Sequence, residues 1–150
     1  MRNRPGFTAV EMALVATIVG LVSAIALPRL SAYREQSALT GAKRQVITQL
    51  AAARASAIQR GTTVVLVADN STLYLVADVG GTETTISPRA RLVPTFDVEL
   101  EASEEKISFD ARGYATSLPT GGATFRLWRG EASDSVCVTR LGTILPECGL

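Results

Sequence analysis

The stretch Gly6–Leu30, GFTAVEMALVATIVGLVSAIALPRL, decides how this chain must fold. From Phe7 to Leu27 its only charge is Glu11. Wound as a helix at about 1.5 Å per residue, that run reaches roughly 32 Å, enough to cross a hydrocarbon core about 30 Å thick. A carboxylate in such a segment costs at least about 2.5 kcal/mol, so Glu11 requires a reason. Arg2 and Arg4 precede the run and point to a cytoplasmic N-terminus. Arg29, Arg34, Lys43 and Arg44 follow it, so the count of basic residues alone does not fix the orientation.

Three readings of the run compete. As a secretory signal it has a basic start and, at Ala24-Ile25-Ala26, an A-x-A cleavage site. Cleavage after Ala26 would release a soluble β-rich binding protein. Against this stand the early glutamate and an apolar run longer than such signals need. As a plain single-pass anchor, the run leaves Glu11 unexplained. The third reading cuts the chain between Gly6 and Phe7, which creates an α-amine one helical turn from Glu11. An ammonium and a carboxylate buried together offset each other's desolvation. The amine could come from the same chain or a neighbouring one, and Glu11 then selects the register in which identical helices pack. Ala16, Gly20 and Ala24 recur every four residues, the spacing of small residues that lets helices approach. Pro28 lacks an N–H and predicts a kink or a melted segment near Ala24–Pro28.

Working outward, residues 28–61 read as an amphipathic helix. Leu39, Ala42, Val46, Leu50, Ala53 and Ala57 follow a 3–4 spacing, Ile47 and Ile58 widen the stripe, and Gly61 is placed to stop it. Gly41 is a soft spot within it. From Thr62 the period changes to that of strands. TTVVLVA, TLYLVA, ETTI, VELE, KISFD, YATSL, ATFRLWR, SVCVTRL and TIL read as strands, and SPRARLVP as a loop bracketed by Pro88 and Pro94. The expected fold class is α+β: a long N-terminal helix, transmembrane in its first half and amphipathic in its second, packed on a mostly antiparallel β domain of two sheets. The domain reading is a leader at 1–6, a transmembrane and assembly helix at 7–27, an amphipathic helix at 28–61 and a β-rich domain at 62–150.

The chemistry of catalysis is missing from the sequence. It contains no histidine, which removes the commonest general base and metal ligand. It has no phosphate loop, no dinucleotide fingerprint and no nucleophile elbow. No enzyme, cofactor or metal is expected. Glu99, Glu101, Glu104, Glu105 and Asp110 could imitate a cation site but read as a solvated strand edge and turn. Formal net charge is +1, so nothing advertises nucleic acid. Cys137 and Cys148 would close a short loop as a disulfide in an oxidising compartment; two buried free thiols are the alternative.

The stretch from Gly6 to Leu30 resembles the leader junction and N-terminal helix of type IV pilins and type II secretion pseudopilins. Gly6, Phe7, Glu11 and Pro28 fall where that pattern wants them. The resemblance implies cleavage by a prepilin peptidase and N-methylation of Phe7. Its implied partners are that peptidase, other pilins or pseudopilins in a helix-packed filament, an inner-membrane assembly platform and membrane lipid. The implied location is the bacterial inner membrane, single pass, with the C-terminal domain periplasmic, and then the filament. ARASAIQRGTTVVLV (Ala53–Val67), ISFDARGYAT (Ile107–Thr116) and, more loosely, VCVTRLGTI (Val136–Ile144) resemble the narrower GspH/FimT group of minor pilins and pseudopilins. Some members bind DNA through arginines that follow the glycine of the final hairpin. Here that place reads Gly142-Thr143-Ile144-Leu145, without arginine, so DNA is not carried over as a partner. Arg126, Arg129 and Arg140, with Arg89 and Arg91, read as scattered on a solvated sheet. A filament subunit is therefore the leading expectation; a DNA-uptake minor pilin and a secreted binding protein are its alternatives.

Overall fold

An apolar side chain that returns every three or four residues gives a helix one stripe to bury. Leu39, Ala42, Val46, Leu50, Ala53 and Ala57 form that stripe, each at most 1% exposed. They belong to α1 (Ala9–Arg60) in a computed structural model that describes residues 8–79 and 81–148. The chain divides into two compact units, Met1–Arg34 and Glu35–Leu150.

In the second unit burial alternates along Lys106–Phe109 and Ala123–Arg129, whereas Val64–Asp69 buries four of its six residues and Thr82–Thr85 none. β1 (Val64–Asp69) pairs antiparallel with β2 (Thr72–Val79) and with β6 (Lys106–Phe109). β3 (Thr82–Thr85) and β4 (Ala90–Arg91) both pair with β2, giving a sheet of order β3-β2-β1-β6 with β4 off that path. The other sheet runs β5 (Glu99–Ala102), β7 (Ala123–Arg129), β8 (Ala132–Val138), β9 (Ile144–Leu145), all antiparallel. Val64, Leu66, Leu73, Leu75, Ile107 and Phe109 from the first sheet share one buried cluster with Phe125, Leu127, Val136 and Val138 from the second and with the α1 stripe. This is the α+β, two-sheet arrangement the sequence predicts. The three alanines of the stripe keep the helix backbone close to the sheets.

Several local expectations are corrected. α1 continues through Pro28, which rules out the melted segment and leaves the kink as the expectation there. The missing proline N–H removes one bond to the Ala24 carbonyl, and the turns on either side remain helical. Ile58 does not extend the buried stripe; it is 49% exposed. One residue past Ala57 it has turned about 100° away, and the turn at Gly113, not a strand, lies beside it. Gly41 is not a soft spot but a point of contact, since a Cβ there would stand 2.8 Å from the Phe96 ring. SPRARLVP is not a plain loop: it forms β4 and enters α2 (Leu92–Phe96). Pro94 falls in the first turn of α2, where an N–H has no helical partner to lose. YATSL is reduced to a bridge between Phe109 and Ala115, because the Ser117 hydroxyl takes the Ser108 N–H at 2.9 Å and ends the ladder. β8 starts at Ala132 and stops at Val138.

Candidate assembly site

The unit Met1–Arg34 presents a helix that is apolar on every side. None of Ala9–Ala26 is buried, and the stretch is long and apolar enough to cross a membrane. Val10, Met12, Leu14, Val15, Ile18, Val19, Leu21 and Val22 are all exposed. A helix hydrophobic all round is made for a membrane or for the interior of an assembly. A Cβ on Gly20 would meet nothing, so the small-residue face is open.

Gly6 and Phe7 lie outside the described residues. Glu11 stands in the first turn of α1, exposed, and is already engaged. Its Oε2 accepts the Thr8 N–H at 3.0 Å and the Thr8 hydroxyl at 3.1 Å. The Thr8 Oγ1 in turn accepts the Glu11 N–H at 3.2 Å. This reciprocal pair is a capping box, which satisfies two of the donors every helix start leaves open. The negative charge also lies at the positive end of the helix dipole. Thr8 is the residue the sequence reading missed, although T-x-x-E before an apolar run is a legible signal. Both bonds go to Oε2, while Oε1 accepts none among the described residues. The site can therefore hold its own helix start and still offer an oxygen to a second donor.

In the other unit, Cys137 and Cys148 form a disulfide. Cys137 lies in β8 opposite Leu145 of β9, so the bond ties the chain's end to the last hairpin. The acidic residues do not converge: no group of them could hold a metal among the described residues. Asp110 instead organises a turn, accepting the N–H groups of Arg112 and Tyr114 at 2.9 Å each. The Tyr114 N–H, foremost, holds its carboxyl below the ordinary carboxylate range, and the Arg112 guanidinium adds to this. The arginines are dispersed. Arg126 and Arg129 lie on β7, and Arg129 pairs with Asp97 at 3.3 Å. Arg89 stacks over Tyr74 at 4.8 Å, beside the other sheet, and Arg140 lies in the turn after β8.

The family model of the type II transport protein GspH matches residues 42–142. The type IV major alpha-pilin of Moraxella bovis is 32% identical over 101 residues, covering 65% of this chain and 61% of the pilin. The chain thus spans less than two thirds of that relative's length. Among solved structures, the type IV minor pilin FimU of Pseudomonas aeruginosa superposes with a TM-score of 0.62 at 15% identity, over 75% of this chain and 90% of FimU. A second crystal form of FimU gives 0.58 at 17% identity, over 73% and 93%. At those identities the likeness to FimU establishes the fold alone. The matching family model covers more than half of the chain and describes structural subunits, not enzymes. On that match, this chain belongs to the GspH family of pilin-like proteins.

Proposed function

We propose that this protein is a non-catalytic subunit, a minor pilin or pseudopilin, of a type IV filament machine such as type II secretion or a type IV pilus. A prepilin peptidase removes residues 1–6, and the new Phe7 amine is N-methylated. Residues 7–27 hold the subunit in the inner membrane with residues 62–150 on the periplasmic side. An assembly platform then extracts it, and the apolar helix packs among those of other pilins. Lipid covers the helix before assembly; neighbouring helices cover it afterwards. Glu11 neutralises an incoming Phe7 ammonium during that packing.

One observation carries the reading: an apolar helix start with none of Ala9–Ala26 buried, on a chain whose other unit belongs to a pilin-like family. Intact-mass and N-terminal peptide analysis of membrane-extracted protein tests it. The expected mature chain starts at a methylated Phe7. A start at Leu27 would replace the filament subunit with a secreted binding protein.

A further inference from the structure

Three segments of the unit Glu35–Leu150 converge at the C-terminal end of α1. They are the helix's last turns, the turn at 110–114 and the turn at 139–143. Arg54 ties them together, its Nη1 donating to the Gly142 carbonyl at 3.0 Å. The Ala115 N–H donates to the Arg140 carbonyl at 2.9 Å. Packing is close enough that both turns need glycine. A Cβ on Gly113 would stand 2.9 Å from Arg54 Nε and from Ile58 Cδ1, and one on Gly142 would run into the Gly113 carbonyl.

This end of the unit is unusually apolar for a solvated surface. Leu141 is 65% exposed, Ile58 49% and Tyr114 43%. Among the described residues, the unit's other exposed large apolar side chains are only Val93 and Leu145. Arginines rim the patch. Arg112 lies over the Tyr114 ring at 5.5 Å and pairs with Asp110 at 3.3 Å. Arg60 and Arg140 are exposed and make no ion pair among the described residues. Exposed Tyr, Leu and Arg in one patch have the composition of a protein contact.

The other end of the same helix stretch carries the opposite surplus. The β7–β8 hairpin turns at Gly130 and Glu131, and a Cβ on Gly130 would stand 3.9 Å from the Glu35 carboxylate. Of the other nearby charges, Lys43 pairs with Asp134 at 2.8 Å and Arg129 with Asp97 at 3.3 Å, while Arg34, next to Glu35 in the sequence, is exposed and offsets one of the two glutamates. Glu35 and Glu131 are in no ion pair among the described residues. From Glu35 to Ile58 the helix climbs about 35 Å at ~1.5 Å per residue.

We propose that the arginine-rimmed patch of Ile58, Tyr114 and Leu141 receives the Glu35–Glu131 end of a second copy of this chain. The contact joins two different surfaces, so it is heterologous and leaves one end of each copy free for the next. It rests on the filament reading above and specifies where the β domains of successive copies touch. A nucleic acid fits the patch less well. It would ask for a continuous cationic track, whereas Asp110 already holds Arg112 and the Ile58 and Leu141 side chains at the patch centre offer a phosphate nothing.

The test uses the full chain in its own membrane, as two differently tagged copies, one carrying a photo-crosslinking amino acid at Leu141. The expected product links that position to the β7–β8 hairpin of the other copy. Arg140→Glu in the probe copy, or Glu131→Arg in its partner, should each lower the yield about two- to fivefold, and the two reversals combined should recover it. Yields unchanged by either reversal, or crosslinks to nucleic acid or to another protein only, would overturn the contact. The yield is read in membranes and in sheared filaments. Absence from both pools overturns the contact even if both copies enter filaments normally. Exclusion from filaments with the crosslink retained would count against the filament reading alone.

Discussion

Oε2 of Glu11 takes both Thr8 donors and Oε1 takes neither, so the carboxylate caps its own helix through one oxygen. Thr8→Val keeps the shape and removes the hydroxyl. It should fray the first turn at a cost of about 1 kcal/mol, seen as faster amide exchange at Ala9–Met12 in micelles, with membrane insertion unchanged. Equal exchange would mean that the cap does not hold the helix start. At Asp110 the sign of the pH effect follows from its lowered pKa. The carboxylate is the better acceptor for the Tyr114 and Arg112 N–H groups, so its stabilisation is complete above the unfolded value of about 3.9 and is lost as pH falls through the lower folded value. Urea unfolding between about pH 2 and 6 should show this loss in the wild type. Asp110→Asn keeps an acceptor but cannot titrate, and should flatten that part of the profile; an unaltered profile would place the acid sensitivity elsewhere.

At the scale of elements, the helix was the most legible part of the chain. A stripe of period 3.6 from Leu39 to Ala57 has one packing solution, and all six of its residues are buried. Strand positions were legible from alternation to within a few residues. What escaped was set by contacts between distant segments. Nothing near Gly41 in sequence announces the Phe96 ring that needs its missing Cβ, and nothing near Ser108 announces the Ser117 hydroxyl that ends its ladder. Pro94 misled because proline reads as a loop signal, although the first turn of a helix tolerates it. The candidate assembly site was half legible: Glu11 stands out as a charge in an apolar run, while Thr8 is a small polar residue whose capping role shows only in its pairing with Glu11. Gly41→Leu should cost about 1–3 kcal/mol by forcing Phe96 outward, and the companion change Phe96→Ala should recover part of it. The Cys137–Cys148 bond closes a short loop with a sequence separation of 11. It should contribute about 3 kcal/mol in the chain-entropy model. Replacing both cysteines by serine should lower the urea midpoint accordingly; a midpoint that does not move would make the bond energetically idle.

At the scale of the molecule, two units with opposite solvent requirements share one chain. The unit Glu35–Leu150 buries its own core, whereas Ala9–Ala26 buries nothing and depends on lipid or on other helices. That division is what a subunit stored in a membrane and later packed into a filament requires. Family membership agrees with it without naming the machine. The most direct test compares Glu11→Ala with wild type for its share in sheared filaments or crosslinked pseudopilin complexes, normalised to the membrane pool. Insertion should persist, because the substitution raises the hydrophobicity of the run. Incorporation should fall steeply, since stranding one partner of a buried ion pair costs about 3–5 kcal/mol. Glu11→Gln, which keeps a hydrogen-bonding side chain without the charge, should fall with it. Wild-type incorporation of both variants would contradict the account, because Glu11 would then be a helix cap and nothing more.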